Sequence, residues 1–224
     1  MTRGIKDTFE SSKQDINIIL AIDLGKFKSV ACIYRTADAS HRYLTVPTRP
    51  AALHDLLVDL SPDRLVIEIG SAAGWIKDLA EALEIPIEIA NPNHQAWRWK
   101  HVKRKTDRDD ALKLAQLSAM NQLPVIELPG ARVRQWRSLI GYRWTLVSRR
   151  TAIKNSIRSI LDRQGQTMPS GKSGWTSKAV AALRLMSRPL ADVQADELWR
   201  GQLHIELQAL EQVEGLLADV ESKL

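Results

Sequence analysis

Acidic residues at four separated positions are the strongest candidates for chemistry in this chain. Asp23 and Glu68 each end or follow a short apolar run, and Asp107 and Asp110 open a helical pattern just after a basic segment. Carboxylates are hard oxygen ligands that suit Mg²⁺ or Mn²⁺. Two such ions can activate a nucleophile and stabilise the leaving oxygen at a phosphodiester. The first hypothesis is therefore a divalent-metal site that handles a polyanion.

The late acidic pair lies in a segment that carries its own helix start signal. Thr106 can cap a helix, and Asp109 three residues later can complete a capping box. Asp107 and Asp110 lie three residues apart, so they project from neighbouring positions on one helical face. That face continues through Ala111, Leu114, Leu117 and Ser118. An alternative stays open, because acids early in a helix also satisfy free N–H groups and the helix dipole.

Apolar patterning predicts the elements that must position these acids. The runs typical of strands are 16–23, 27–35, 42–46, 64–70 and 86–90, and helical periodicity covers 50–60, 74–84 and the tract that ends near 120. This order predicts an α/β fold with a mixed sheet and flanking helices. Ligands in open α/β sheets gather at the carboxyl ends of strands, so acids at the ends of adjacent strands can converge there.

A long helical tract follows Pro129 and continues to about Gln164. Leu139, Leu146, Ile153 and Ile160 recur every seven residues within it, which supports either a coiled coil or a helical hairpin. Residues 165–177 are rich in Gly, Ser and Pro and predict a loop, and a last helix carries heptad leucines up to residue 224. The GKS sequence at 171–173 lacks both the spacing and the preceding strand of a phosphate-binding loop.

Charge is strongly segregated along the chain. The segment 132–163 carries +8 and the segment 190–224 carries −6, within a total of +6. A dense basic run also precedes the late acids, where Trp97 and Trp99 alternate with cationic residues. This pattern is compatible with base stacking beside phosphate contacts, and packing in a core or an interface is the alternative role that we favour for most of the tryptophans. These features predict a nucleic-acid surface. The candidate contacts are Arg98, Lys100, Lys103, Arg104, Lys105, Arg149, Arg150, Lys154 and Arg158.

The remaining composition excludes several classes of protein. One cysteine rules out a disulfide framework and a Cys-rich zinc site, so we expect a reducing, cytoplasmic environment. The five histidines show no metal-ligand spacing, and no apolar run approaches the roughly 18 residues needed to span a membrane. We therefore expect no membrane partner.

Three motifs together resemble a known family. AIDLGK with Asp23, VIEIG with Glu68, and KTDRDDA with Asp107 and Asp110 resemble the DEDD motif of insertion-sequence transposases related to the Piv DNA invertase, the bridge-RNA-guided recombinases. The resemblance covers about residues 16–165. It implies a RuvC-like, RNase H-type fold that holds Mg²⁺, or Mn²⁺, through the four acids as catalytic residues. It also implies DNA and a structured guide RNA as partners, and homo-oligomers assembled through a coiled coil.

The resemblance further implies a separate C-terminal domain that supplies a catalytic serine. Its Pro-Gly-x-Gly opening does not occur here, and Ser170, Ser173 and Ser177 lie outside the corresponding motif. We expect a loosely ordered N-terminus at 1–15, a RuvC-like domain at 16–128 and a helical region at 129–224 that stops before the serine domain. The chain would then hold half of a composite active site.

Three functions remain open from the sequence. The first is a transposase or site-specific DNA recombinase that cleaves and joins phosphodiesters. The second is a stand-alone junction nuclease of the RuvC type. The third is a non-catalytic fragment that binds nucleic acid and dimerises, for which binding would survive loss of the acids because phosphate contacts dominate affinity.

Overall fold

The structure is a computed structural model that describes residues 16–91 and 106–224. The chain divides into two compact units, 1–131 and 132–224. The N-terminal segment 1–15, for which we predicted loose order, lies outside the described residues. Each unit is described by itself below.

The first unit is built on a five-stranded mixed sheet. Its strands are β1 (Ile18–Asp23), β2 (Lys28–Arg35), β3 (His41–Pro47), β4 (Arg64–Glu68) and β5 (Ile87–Ala90). They lie in the order β3-β2-β1-β4-β5. Strand β2 runs antiparallel to both of its neighbours, whereas β4 and β5 run parallel to β1. This arrangement of an antiparallel meander followed by two parallel strands confirms the predicted RNase H-like α/β fold.

Helices cover both faces of the sheet. Helices α1 (Pro50–Leu60) and α2 (Ala73–Ala82) pack on one face, where Leu20, Ile22, Leu65 and Ile67 form a buried core with them. Helix α3 (Asp107–Ala119) packs on the other face, against Ile19, Ala21, Cys32 and Val66. Alternate residues of β1 and β4 therefore belong to two separate cores, as the two-residue period of a strand requires.

The chain after α3 returns along the outer strand of the sheet. The amide of Asn91 donates to the carbonyl of Pro124 at 2.9 Å, and the amide of Ile126 donates to the carbonyl of Ile89 at 2.9 Å. An isolated bridge joins Ala90 to Val125. This segment covers part of the edge of β5, where exposed backbone groups would otherwise invite pairing with another chain.

The second unit consists of helices held together by apolar heptad positions. It contains α4 (Ala131–Arg163), α5 (Ser177–Met186) and α6 (Leu198–Lys223). Three of the four predicted heptad residues of α4 lie in apolar clusters with residues of α6, namely Leu146, Ile153 and Ile160, whereas Leu139 belongs to neither cluster. Ion pairs join Arg143 to Glu221 and Lys154 to Glu214. Residue numbers rise along α4 as they fall along α6, so the two helices are antiparallel. Of the two arrangements that the heptads allowed, a helical hairpin is the one present within the chain.

The connection between these long helices is more ordered than the sequence predicted. The glycine- and serine-rich segment contains a 3-10 helix at Gly171–Trp175, which includes the GKS sequence, and α5 follows it. The Thr176 side chain accepts a hydrogen bond from the amide of Ala179 and so caps α5. The sequence pattern predicts a loop up to residue 177 and no separate helix after it, so α5 is a correction to that prediction.

The single cysteine is a core residue of the first unit. Cys32 is buried in β2, and burial raises the pKa of its thiol to about 11, which is typical of an inert core residue. Among the residues that the structure describes, no helix is both long and apolar enough to span a membrane.

Candidate active site

The two early acids end neighbouring parallel strands in matching register. Ile22 of β1 pairs with Ile67 of β4, so Asp23 and Glu68 are the next residues along each strand. Hydrogen-bonded neighbouring strands lie about 4.8 Å apart, which makes these two acids lateral neighbours. Both are half-buried. The sequence predicted acids at adjacent strand ends, and the register places these two there.

Side-chain alternation assigns both acids to one face of the sheet. Asp23 lies two residues after Ala21, and Glu68 lies two residues after Val66, so each shares the face of that buried neighbour. Ala21 and Val66 belong to the core that α3 covers. The acids therefore lie at the rim of the interface between the sheet and α3, rather than on the side of α1 and α2.

The direction of α3 brings its first turn toward the same end of the sheet. Near its last turn, Ser118 contacts Arg64 at the beginning of β4, so α3 runs opposite to that strand. At 1.5 Å per residue, its 13 residues span about 20 Å, roughly the length of the sheet. Asp107 and Asp110 lie in its first turn, where Asp110 is half-buried and Asp107 is exposed.

A capping box fixes where α3 begins. The amide of Asp109 donates to Thr106 Oγ1 at 3.3 Å, and the amide of Thr106 donates to Asp109 Oδ2 at 3.1 Å. Two free N–H groups are thereby satisfied reciprocally. The predicted capping box is confirmed, and Asp109 is committed to the helix start rather than to a ligand set.

A polar cluster that the sequence did not reveal anchors the other end of α3. Arg64 Nη1 lies 2.8 Å from Glu88 Oε1 and donates to Ser118 Oγ at 3.1 Å, while Ser118 Oγ donates to Glu88 Oε2 at 2.5 Å. The cluster joins β4, β5 and α3, and Ser118 is fully buried. The only sequence signal was a polar residue within or beside each of three apolar runs, which does not identify the partners.

The donor chemistry of the four acids suits a hard divalent cation, because carboxylate oxygens are the ligands that Mg²⁺ and Mn²⁺ prefer. Within residues 16–91 and 106–224, however, no three His, Cys, Asp or Glu side chains are close enough together to hold a metal ion. The backbone thus directs Asp23, Glu68 and the first turn of α3 to one end of the sheet without gathering three carboxylates into a ligand cluster. The four-acid metal site stays a prediction.

The predicted nucleic-acid contacts are only partly within the described residues. Arg98, Lys100, Lys103, Arg104 and Lys105 lie outside the described residues. Arg149 is exposed and Arg150 half-buried on α4.

The other two predicted contacts, Lys154 and Arg158, interact with residues of the helical unit itself. Lys154 Nζ lies 4.9 Å from the Trp175 ring centroid, and the Arg158 guanidinium lies 5.5 Å from it. Arg158 Nη2 also donates to the carbonyl of Gly171 at 3.1 Å. These two cations hold the 3-10 segment against α4 through cation–π contacts, which sequence inspection had not suggested. Their role in binding nucleic acid stays a prediction.

The order and directions of the strands define an RNase H-like α/β fold. Residues 20–165 match the DEDD family of IS110 insertion sequences, whose members are described as transposases. The match spans more than half of the chain, so this chain belongs to the IS110-type DEDD transposase family. No curated protein sequence matches the chain.

Solved structures similar to this chain include two of RuvC from Thermus thermophilus, one of them in complex with a Holliday junction substrate. Each is 14% identical in sequence, with a TM-score of 0.34, and the alignment covers 49% of this chain and 99% of RuvC.

The Arg64–Glu88–Ser118 cluster generates a stability prediction. Arg64→Met leaves the Glu88 carboxylate, whose side chain is 23% exposed, without its cation, and should lower the free energy of unfolding by about 1–3 kcal/mol. Adding Glu88→Met should recover much of this loss, because both charges are then gone. Urea titrations followed by circular dichroism measure both variants.

The matched control is Arg184→Met, which breaks the exposed Arg184–Glu211 pair and should change stability by less than about 0.5 kcal/mol. If the stability lost in the Arg64→Met/Glu88→Met variant equals the sum of the losses in Arg64→Met and Glu88→Met alone, the two side chains are not coupled.

Proposed function

We propose that this chain is the acid-bearing part of a transposase that cleaves DNA phosphodiesters and transfers strands. The observation that carries the proposal is the matching register of Asp23 and Glu68 at the ends of β1 and β4, on the face that α3 covers. Membership of the DEDD transposase family supports it independently. A junction nuclease or a non-catalytic binding fragment would share the fold, so activity has to separate them.

In this proposal Asp23, Glu68, Asp107 and Asp110 would together hold Mg²⁺ or Mn²⁺. A divalent cation bound there would stabilise negative charge on the phosphate and leaving oxygens. The carboxylates alone would repel a phosphodiester, so their place at the reaction centre requires that cation. Thr106 and Asp109 begin the helix that carries the late pair, and Arg64, Glu88 and Ser118 fix its far end. They are positioning residues.

The partners in this proposal are DNA, a structured guide RNA and further copies of this chain. The basic residues on α4 and the basic run before α3 would bind phosphate backbones, which supply sequence-independent affinity. The helical unit would mediate assembly. A serine nucleophile would come from a separate domain, because the family resemblance places it outside the motifs found here. We expect the protein to act in the cytoplasm.

Removal of single acids tests the metal role. The assay measures Mg²⁺-dependent cleavage and joining of DNA that carries the element's ends, with guide RNA present and the serine domain supplied in trans. Asp23→Asn, Glu68→Gln, Asp107→Asn and Asp110→Asn should each lower the rate at least about a hundredfold, as expected when a charge contact to the transition state is lost. EDTA should abolish the wild-type reaction.

The matched control is Asp59→Asn, which removes an exposed acid from α1 and should leave the rate unchanged. Full activity of Asp23→Asn and Asp110→Asn would exclude the metal role. Cleavage of branched DNA by the wild-type chain without the serine domain would favour a stand-alone nuclease. Salt-sensitive DNA binding without cleavage under any of these conditions would indicate the non-catalytic fragment.

The basic surface of α4 predicts a specific salt dependence. Replacing Arg149 and Arg150 by alanine should weaken DNA binding and reduce the slope of log K against log salt by about two, one for each lost phosphate contact. Arg184→Ala is the control, because that guanidinium already pairs with Glu211 and should not change the slope. An unchanged slope in the Arg149→Ala/Arg150→Ala variant would remove these residues from the interface.

A further inference from the structure

The turn between β1 and β2 presents an aromatic ring to solvent four residues after Asp23. Phe27 is 75% exposed, and Lys26 Nζ lies 5.1 Å from the centroid of its ring. So exposed a phenylalanine contributes little to the hydrophobic core. An exposed ring beside a cation is the combination with which proteins stack bases and neutralise the adjoining phosphate.

The same turn forms one wall of a cavity of about 470 Å³. Gly25 and Lys26 line it from the end of β1, and Gly70 and Ser71 line it from the segment that follows Glu68, with Trp75 of α2 completing the wall. The cavity therefore lies at the same end of the sheet as the strand-end acids. Its volume is within the range of about 300–1,000 Å³ typical of ligand pockets.

Hydrogen bonds from the end of β3 hold this turn in place. Thr48 Oγ1 donates to the carbonyl of Gly25 at 2.8 Å and lies 2.7 Å from Ser29 Oγ. The amide of Thr48 donates to the carbonyl of Phe27 at 3.0 Å. A Cβ atom at Gly25 would lie 2.2 Å from the carbonyl oxygen of Lys28, so this close approach requires glycine. The turn is preorganised, which lowers the entropic cost of binding.

The cavity offers chemistry that suits a nucleotide. Lys26 supplies a cation, Ser71 a hydroxyl and Trp75 an aromatic surface, and the described residues that line it include no acid. A planar ring with an attached anion satisfies all three features. The cavity lies on the α2 side of the same sheet end at which we propose that the acids act on a DNA backbone. The ring and the anion can therefore belong to one strand that crosses this end of the sheet.

We propose that this cavity receives one unpaired nucleotide of the DNA strand whose backbone lies at the strand-end acids. Its base lies against Trp75, the neighbouring base stacks on Phe27, and Lys26 contacts the phosphate between them. The inference rests on the proposed function, because it takes DNA as the strand held at Asp23 and Glu68. It adds a site for unpaired bases beside the cleavage position.

Base-dependent binding tests the site. Fluorescence anisotropy, with Ca²⁺ in place of Mg²⁺ so that the carboxylates keep a cation, compares a labelled single-stranded DNA with the same strand that lacks its bases at successive internal positions. Wild-type protein should lose roughly five- to a hundredfold in affinity when the critical base is removed, the range measured for single base–aromatic stacks. Phe27→Ala should bind the intact strand nearly as weakly as wild-type protein binds the abasic one.

Matched variants separate this contact from general effects. Val58→Ala removes another exposed apolar side chain, on α1, and should leave the base dependence intact. Lys26→Ala should weaken binding of both strands, whereas Arg42→Ala, at the opposite end of the sheet, should change neither. Circular dichroism confirms that each variant is folded, and folding is expected because all four side chains are exposed.

Equal affinity of wild-type protein for intact and abasic DNA would overturn the proposal, as would an equal loss on both strands in Phe27→Ala. A base dependence seen only with RNA of the same sequence would overturn the assignment to DNA. Base-dependent binding that persists while the four acid variants keep full cleavage activity would reject the proposed metal role and leave this site standing. Base-independent binding together with cleavage that depends on the four acids would overturn this site and support the proposed metal role.

Discussion

The pairing register between β1 and β4 is the constraint on which the rest of the structure depends. Because side chains alternate along a strand, a slip of one residue would move Asp23 or Glu68 from the α3 face to the face of α1 and α2. The register is held by two different cores, with Leu20 and Ile22 on one side and Ile19 and Ala21 on the other. Apolar packing on both faces thus determines where the two charged strand ends lie.

The late acids depend on that sheet through α3, whose first and last turns are both defined by side-chain hydrogen bonds. Its start is set by the reciprocal hydrogen bonds of Thr106 and Asp109, and its end by Arg64 and Glu88 acting on Ser118. The capping box sets the residue at which the helix begins, whereas Ala111 and Leu114 hold its first turns on the sheet in one buried cluster with Ile19 and Ala21. The turn after Asp23 is fixed in a similar way by Thr48. Rigid supports of this kind are what a site for charged substrates requires.

Local patterns predicted most of the fold, since apolar runs and helical periodicity depend only on neighbouring residues. The five strands, α1, α2 and the capping box of α3 were predicted from them. What the sequence could not provide are contacts between residues far apart in the chain, such as Arg64 with Glu88, or Lys154 with Trp175. Helix α5 was missed because its ten residues follow a segment rich in turn formers. Individual acids were identified as candidates, but strand order alone does not fix their separations.

We propose that Asp23, Glu68, Asp107 and Asp110 form one cation site when DNA is bound. Anomalous diffraction from crystals of the protein–DNA complex grown with Mn²⁺ tests it most directly, because the signal locates the ion without reference to activity. We predict a peak at the carboxyl ends of β1 and β4, with oxygens of Asp23 and of at least one acid of α3 at about 2.0–2.6 Å. An ion bound elsewhere, or none beside these carboxylates in a complex that cleaves its DNA, would contradict the account.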